Sequence, residues 1–366
     1  MLTGINFIFL TPVYLQFLVL HFSFLINKVD SLTQIILGAA VGEAVAGKKL
    51  GNKAAMWGAI AGTIPDLDVI IRHFSHPIQG ALMHRGFSHS IVFALIAAPI
   101  LAWLVDKLYK NHYDIDLWRK LFFLSIVTHP MLDVFTSYGT QFFWPFELRW
   151  TFNSVFVVDP LYTVPFGLLL LVALFLNRES KLRRKLNWTG IIYSCIYLIW
   201  GVVVKLVILS DSDNYFTNTK INAERTLVTP MPFTSFYWMV MAENEDNYFI
   251  GYKSLFSSFN EKDVQTYSKN HDALELTKWQ GKDYTKTLKF LTKGYYSVDD
   301  SSDTLKVYDL RFGELSTLTN YASNEPLFSY GMVIDNRIVN KTIGPNPRSH
   351  LKDANFEVYF RKVFGE

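Results

Sequence analysis

Cysteine and charge are both scarce in this chain of 366 residues. The single cysteine, Cys195, lies in an apolar run, so it forms no disulfide within the chain and tells little about the redox compartment. Charged residues make up 18% of the chain, below the roughly one quarter usual for soluble domains, and the net charge is only +3. This balance gives no support to nucleic-acid binding, so we expect no nucleic-acid partner.

Apolar residues are abundant instead, and the long apolar runs are concentrated in residues 1–209. Half of the chain is hydrophobic. A full membrane span needs about 20 apolar residues, and several of the runs are shorter. The candidate segments are 5–26, 33–47, 54–64, 90–105, 121–135, 155–176 and 188–209. The sequence therefore predicts a mainly α-helical integral membrane protein with about six to seven membrane segments.

Two of the short segments carry small residues four apart. Gly38 and Gly42 form one GxxxG pattern, and Gly58 and Gly62 form another. Such spacing lets helix backbones approach closely in lipid, although it also arises by chance in Gly/Ala-rich sequence. We expect these two helices to pack against each other.

The distribution of Lys and Arg among the short loops predicts the orientation in the membrane. Loops 47–53, 106–120 and 177–187 hold twelve basic residues, against four in the opposite loops. Because basic loops stay in the cytoplasm, these three loops are expected to be cytoplasmic in a multi-pass protein of the cell membrane. The same rule predicts that residues 65–89, residues 136–154 and the tail are extracytoplasmic.

Three regions follow from these patterns. Residues 1–28 lack the features of a signal peptide, so they are either an extra span or a mis-assigned start before Val29. Residues 29–209 form the membrane domain, and residues 210–366 form an extracytoplasmic α+β domain.

Short patterns predict the elements of this C-terminal domain. "TLKVYDLRF" (304–312) and "NFEVYFRKVF" (355–364) have the alternation of strands, and two apolar runs form a hairpin across Asn244–Asn247. Residues 261–280 are the expected helix.

The membrane half contains three polar clusters. In "IPDLDVI", Asp66 and Asp68 follow a helix-ending proline and could face one cation, or simply be a solvated helix end. In "HRGFSHS", His84 and His89 are too far apart for one helical face. One of them therefore lies in a turn and the other at a helix start, for which Ser88 is the expected N-cap.

The third cluster, "THPMLDVFTSYG", places His129 and Asp133 four residues apart on one helical face. Each cluster alone is more often structural, but ionisable groups in membrane segments are costly and mark functional sites. All three fall at the predicted outer face. A His/Asp set without Cys suits zinc, or manganese or iron. We expect a divalent metal there, with Asp66, Asp68 and His89 as candidate catalytic residues.

Other polar residues are weaker candidates for a functional role. Arg85 could hold an anion, whereas Arg149 is better explained as an interface anchor beside Trp144 and Trp150. Asp159 could orient a ligand histidine, and we expect Gln34 and Arg85 also to support the ligands. We expect Glu43 to be solvated, and the loop histidines His73, His76 and His112 to be bystanders.

The motifs "PDLD", "HRGFSHS" and "HPMLDVFTSYGTQFFWPF", in this order, resemble those of the YdjM-like family of LexA-regulated, inner-membrane metal-dependent hydrolases. The resemblance covers about residues 29–165. It implies a metal site made of Asp66, Asp68, His84, His89, His129 and Asp133. Many relatives carry "LTH" where this chain reads "LTQ", so Gln34 stands at a histidine position. Glutamine is a poorer zinc ligand, which implies a site completed without it or a different metal affinity.

The predicted function is therefore a membrane-bound, metal-dependent hydrolase that acts on a lipid or a phosphate ester at the outer membrane face. The alternative is a non-catalytic metal-binding membrane protein or an ion transporter. A transporter should carry polar residues along a whole path across the membrane, whereas here they gather on one side.

Overall fold

The N-terminal half of the described chain is a bundle of helices. The computed structural model describes residues 32–219, 221–259, 264–318, 325–345 and 355–365, so segment 5–26 and region 1–28 lie outside the described residues. The helices are α1 (32–50), α2 (Asn52–Thr63), α3 (Asp68–His73), α4 (Pro77–Met83), α5 (Ile91–Leu108), α6 (Ile115–Asp133), α7 (Pro160–Phe175) and α8 (Lys181–Asn218).

The expectation of six to seven membrane segments is not supported. Within the described residues, two helices are long and apolar enough to span a membrane, Ile91–Leu108 and Lys181–Thr217. A third span results only if the bent pair Asn52–Thr63 and Pro65–Ile71 is counted as one. The sequence overcounted because α6 carries charged residues at both ends, and because helix α7 begins only at Pro160 and has 16 residues.

Helices α1 and α2 pack with their backbones in contact, as the two GxxxG patterns predicted. A Cβ atom added at Gly58 would lie 2.2 Å from the carbonyl oxygen of Gly38, and one added at Gly42 would lie 2.3 Å from that of Ala54. Only glycine leaves room for such an approach. This contact brings the C-terminal end of α2, and the turn after it, against α1 and α6.

A buried ion pair ties α1 to α8 at the end of the bundle that holds the basic loops. The guanidinium of Arg183 donates to Glu43 Oε1 at 2.7 Å and to Oε2 at 2.6 Å, and both side chains are buried. The expectation that Glu43 is solvated was therefore wrong. Its partner is 140 positions further along the chain, where the local sequence gave no signal.

The chain after α8 is rich in β-structure. Helix α8 passes through residue 209, where the sequence predicted the domain boundary, and ends at Asn218. An antiparallel sheet has the order β1–β2–β3–β4, and a second, mixed sheet has the order β5–β9–β8–β7–β6. The strands are β1 (Arg225–Pro230), β2 (Tyr237–Glu243), β3 (Asn247–Ser254), β4 (Gln265–Ser268), β5 (Lys278–Trp279), β6 (Tyr296–Asp299), β7 (Thr304–Asp309), β8 (Ser329–Asp335) and β9 (Ile338–Ile343). Strands β2 and β3 form the hairpin predicted across Asn244–Asn247.

Two local predictions in this part were wrong. Residues 261–280, expected to be one helix, contain strands β4 and β5 around a short helix α9 (His271–Glu275), because Asn270 adopts a left-handed conformation with φ of 44°. Helix α10 (Thr285–Leu291) follows.

The segment 355–364, expected to be a strand, is helix α11 (Phe356–Phe364). Its apolar residues fit both periods, since Phe356, Tyr359 and Val363 also share a helical face. The helix prevails because the Asn355 side chain accepts a hydrogen bond from Val358 N, and because Tyr359 and Val363 are buried.

Candidate metal centre

Two short turns and the end of helix α6 bring imidazole and carboxylate groups together. Pro65 begins a short 3₁₀ turn after α2, and this turn carries Asp66. A second 3₁₀ turn, Phe87–His89, carries His89 just before α5. His129 and Asp133 lie one turn apart near the end of α6, as their spacing predicted. The N-cap of α5 is Ser90 rather than the predicted Ser88, because the 3₁₀ turn delays the helix start; Ser90 Oγ accepts from Phe93 N at 3.0 Å.

Three donor atoms form a nearly equilateral triangle. His89 Nε2 lies 3.2 Å from Asp66 Oδ1 and 3.2 Å from His129 Nε2, and His129 Nε2 lies 3.4 Å from Asp66 Oδ1. Tetrahedral zinc with bonds of about 2.0–2.1 Å requires ligand atoms about 3.3–3.4 Å apart. The triangle therefore has the dimensions of one face of a zinc coordination tetrahedron. The side chains of His89 and His129 are 0% and 1% exposed, and that of Asp66 is 20% exposed, so the open side lies at Asp66.

Hydrogen bonds at the other ring nitrogens fix the state of both imidazoles. His129 Nδ1 donates to the carbonyl oxygen of Gly62 at 2.6 Å. His89 Nδ1 lies 3.0 Å from Ser88 Oγ and 3.3 Å from Asp68 Oδ2. With the proton on Nδ1, the neutral form of each ring carries its lone pair on Nε2, and the two Nε2 atoms face each other. Two lone pairs at this distance repel unless a cation lies beside them, and the same tautomer is the one that binds a metal through Nε2.

Asp133 lies beside this triangle. Its Oδ2 is 3.4 Å from His89 Nε2 and 3.5 Å from His129 Nε2, and it is buried with no hydrogen bond among the described residues. Its Oδ1 accepts from Gln34 Nε2 at 3.1 Å and lies 3.3 Å from the Arg85 guanidinium. This buried oxygen faces two imidazoles and has no hydrogen-bond donor among the described residues. A bound cation would satisfy it, so its position fits a cation site.

Asp68 and His84 lie one hydrogen bond further out. Asp68 Oδ1 is 2.9 Å from His84 Nδ1, and its Oδ2 accepts from Ser88 Oγ at 2.8 Å and from the backbone N–H of Arg85 at 3.1 Å. Burial lowers the pKa of His84, so its neutral form is favoured. Asp68 thus orients His89, in the carboxylate–histidine arrangement found at metal sites.

The residues expected to support the ligands divide into two groups. Gln34 and Arg85 both contact Asp133 and are buried, as that role requires. Asp159 makes no hydrogen bond to a histidine among the described residues. Its carboxylate caps α7 by accepting from Leu161 N at 2.9 Å, and it accepts from the Tyr197 hydroxyl at 2.7 Å.

Arg149 was expected to anchor a membrane interface, but it is buried. Its guanidinium donates to the carbonyl oxygens of Leu82 and His84 at 2.5 and 3.0 Å. Sequence reasoning also missed the roles of Ser88 and of the Gly62 carbonyl. The serine had a signal, since it precedes a ligand histidine, whereas a backbone carbonyl has none.

Comparison with known proteins gives relatives for the helical half. The chain is 30% identical to the uncharacterized protein YfhP of Bacillus subtilis (strain 168) over 128 residues, which are 33% of this chain and 38% of YfhP. It is 28% identical to the inner membrane protein YbcI of Escherichia coli (strain K12) over 144 residues, which are 37% of this chain and 82% of YbcI. The chain thus spans about two fifths of the length of the first of these relatives. No solved structure matches the chain significantly.

The family comparison covers nearly all of the helical half. The model of the YdjM inner membrane protein family matches residues 29–208, a range that contains all three polar clusters and helices α1 to α7. Together with the apolar helices, this match supports location in the membrane. Through residues 29–208, the chain belongs to the YdjM inner membrane protein family.

Proposed function

We propose that residues 29–208 form a membrane-bound, metal-dependent hydrolase whose centre is built from Asp66, His89 and His129. The observation that carries this proposal is the triangle of donor atoms with edges of 3.2, 3.2 and 3.4 Å. Two histidines and one carboxylate, with a fourth position open, form the ligand set of catalytic zinc. Manganese and iron accept similar N/O sets.

The side chains around the triangle would have different roles. A divalent cation at these atoms would lower the pKa of a water molecule toward neutrality, which makes a nucleophile available at physiological pH. Asp66 is on the open side, where its second oxygen can accept a proton from a water or substrate. Asp133 balances the charge of Arg85 and keeps a free oxygen toward both imidazoles. Asp68 holds His89 in the tautomer whose Nε2 faces the centre.

The surface near the centre favours an apolar substrate with a polar ester. Phe87, two residues before His89, packs its ring 4.9 Å from that of Trp144. Phe87, Trp144, Phe146 and Leu67 are all exposed. Aromatic side chains at this density are typical of the headgroup region of a bilayer. We therefore propose a phospholipid or lipid-linked phosphate ester as the substrate. The excess of Lys and Arg in the opposite loops supports an outer-face position for the site.

Metal analysis combined with an activity screen tests the proposal. The purified protein in detergent should contain close to one equivalent of a divalent metal by mass spectrometry. It should release phosphate or an alcohol from at least one member of a panel of phospholipid and phosphate esters, and a chelator should abolish this activity. His89→Ala should lose both metal and activity, whereas the exposed His112→Ala should keep both. Bound metal without activity on any ester would contradict the hydrolase and leave a structural metal site.

A further inference from the structure

Helix α4 belongs to the helical half in sequence but to the C-terminal domain in its packing. Ile78 and Ala81 are 1% and 2% exposed, and they lie in one hydrophobic cluster with Leu288 of α10 and Tyr330 of β8. The first residues of the polar turn "HRGFSHS" follow α4 directly. The turn that carries His84 and His89 therefore begins on the hydrophobic core of the C-terminal domain.

Polar contacts hold the start of α4 to the same domain. The His76 ring stacks on that of Tyr284 at 4.3 Å with an interplanar angle of 6°, and its Nε2 lies 2.8 Å from Thr342 Oγ1. Lys282 Nζ donates to Gln79 Oε1 at 3.3 Å. From the sequence His76 was expected to be a bystander; in the structure it contacts residues that are more than 200 positions further along the chain.

The end of α4 is held by Arg149, which is itself contacted by the C-terminal domain. The Arg149 guanidinium donates to the carbonyls of Leu82 and His84, on either side of the last residue of the helix. Lys293 Nζ donates to the carbonyl oxygen of Arg149 at 3.0 Å. The hydroxyl of Tyr138 donates to the Ala81 carbonyl at 3.1 Å.

The turn needs such support because its backbone is strained. Arg85 has φ of 56°, a left-handed conformation that is uncommon for residues other than glycine. Its N–H donates to Asp68 Oδ2, the same oxygen that lies 3.3 Å from His89 Nδ1. A residue in this conformation persists only when surrounding contacts impose it. Loss of those contacts would let the turn relax and would move the group that orients His89.

We propose that the C-terminal domain positions the metal centre, with α4 and Arg149 as the connection. His76 and Arg149 are positioning residues that act on His84, Arg85 and, through Asp68, on His89. This inference rests on the proposed centre for its functional meaning, but the coupling itself can be measured without metal.

Two matched pairs of variants test this coupling in the full-length protein. His76→Ala removes a stacked histidine that contacts α4, and His271→Ala removes one that stacks on Tyr296 at 3.9 Å inside the same domain. Leu288→Ala opens the core cluster that contains α4, and Leu318→Ala opens a second core cluster of the domain, which lacks α4. Within each pair the chemical change is the same, so that a general loss of stability affects both members.

The first measurement is hydrogen exchange of the peptide covering residues 83–90 in metal-free protein. His76→Ala and Leu288→Ala should speed exchange there, and His271→Ala and Leu318→Ala should leave it unchanged. Equal exchange in both members of both pairs overturns the coupling. Because this readout needs no metal, it is independent of whether the wild-type protein binds one.

The second measurement is cobalt binding followed by the visible absorption of the bound ion, which reports coordination geometry. Arg149→Lys keeps the charge but loses the forked donation to Leu82 and His84. It should weaken cobalt binding about 10-fold or more and change the absorption intensity, as loss of a ligand-orienting contact does. Unchanged affinity and spectrum in Arg149→Lys, His76→Ala and Leu288→Ala alike would contradict the proposal.

Discussion

His89 and His129 are held by different acceptors. His129 is fixed by a backbone carbonyl, which no substitution of a side chain removes, whereas His89 depends on the Asp68 carboxylate and on Ser88. The two candidate ligands therefore differ in how easily a side-chain substitution near them can change their orientation. Of the two histidines, only His89 should be disturbed by substitutions at Asp68.

Substitution of His129 or Asp133 on α6 should reduce metal binding and leave the stability of the fold largely unchanged. His129→Ala and Asp133→Ala leave the centre short of a donor or of a charge that holds it, so metal affinity should fall by about 10–100-fold or more. If the two residues were only a structural pair, each variant would lose about 1–3 kcal/mol of stability and keep its metal. Metal stoichiometry measured beside thermal unfolding separates these cases. Normal stoichiometry in both variants would rule out the proposed centre.

Lys293 should make the stability of the C-terminal domain depend on pH. Burial, with the neighbouring Arg311 and Arg149, lowers the pKa of Lys293 from 10.5 to about 7. Between pH 7 and 10.5 the folded state therefore holds fewer protons than the unfolded state. The free energy of unfolding should rise with pH across this window, by at most about 1.4 kcal/mol per pH unit.

Thermal unfolding of the wild type and of Lys293→Met between pH 7 and 9 measures this contribution. The variant should lose part of the rise with pH, while Lys286→Met, which changes an exposed lysine of α10, should keep it. An identical slope in the wild type and Lys293→Met would show that Lys293 stays charged in the folded protein.

At the scale of elements, the contact between α1 and α2 depends on glycines of both helices. Gly58→Ala would place a methyl group 2.2 Å from the Gly38 carbonyl oxygen, which is backbone and cannot move aside. We expect a loss of about 1–3 kcal/mol, as for overpacked cores, against the gain in helix propensity. Gly167→Ala is the control, because its methyl would meet only the flexible end of Ile36 at 2.9 Å. Equal melting temperatures for the two variants would contradict the close packing.

The ion pair between α1 and α8 should show the asymmetry of buried charges. Arg183→Ala leaves the Glu43 carboxylate buried without its partner and should cost about 3–5 kcal/mol. Adding Glu43→Gln to that variant removes the stranded charge and should recover part of the loss. Arg178→Ala, at an exposed arginine 3.8 Å from Glu179, should change stability by less than about 1 kcal/mol. A small effect of Arg183→Ala would show that water reaches Glu43.

Local patterns predicted what local forces decide. The GxxxG contact, the β2–β3 hairpin and the shared face of His129 and Asp133 each depend on residues close together in sequence, and the structure contains all three. Segment 355–364 failed because its apolar residues fit both a strand and a helix, and the choice depended on burial against distant strands. The span count failed because apolar composition does not reveal where helices begin and end.

The candidate site was predicted in part for the same reason. Residue types identified the three polar clusters, since ionisable groups are unusual beside apolar runs. They could not rank Asp66 above Asp68, because the two are only two positions apart and differ in which neighbour they face: His129 for one and His84 for the other. The part played by Arg149 was hidden because it donates to backbone carbonyls, which have no sequence signature.

At the scale of the whole molecule, orientation decides where the site operates. The five basic residues of segment 177–187 lie just before α8 and in its first turns, so the tail after this helix should be extracytoplasmic. A fluorescent reporter that matures only in the cytoplasm should therefore be dark when fused after residue 366. The same reporter placed in loop 106–120 should be bright. A bright C-terminal fusion would reverse the topology and move the proposed site to the cytoplasmic face.

The sharing of α4 between the two halves also has a consequence for biosynthesis. Ile78 is made about 200 residues before Leu288, its partner in the core, which at typical translation rates is a delay of roughly 10–40 seconds. During this interval the ribosome has released the histidine turn, but the domain that holds the turn does not yet exist. If the C-terminal domain positions the centre as proposed, the newly made protein would acquire its finished centre only after that domain has folded. Metal loading would then be the final step of its maturation, and it would take place in the compartment that the C-terminal domain reaches.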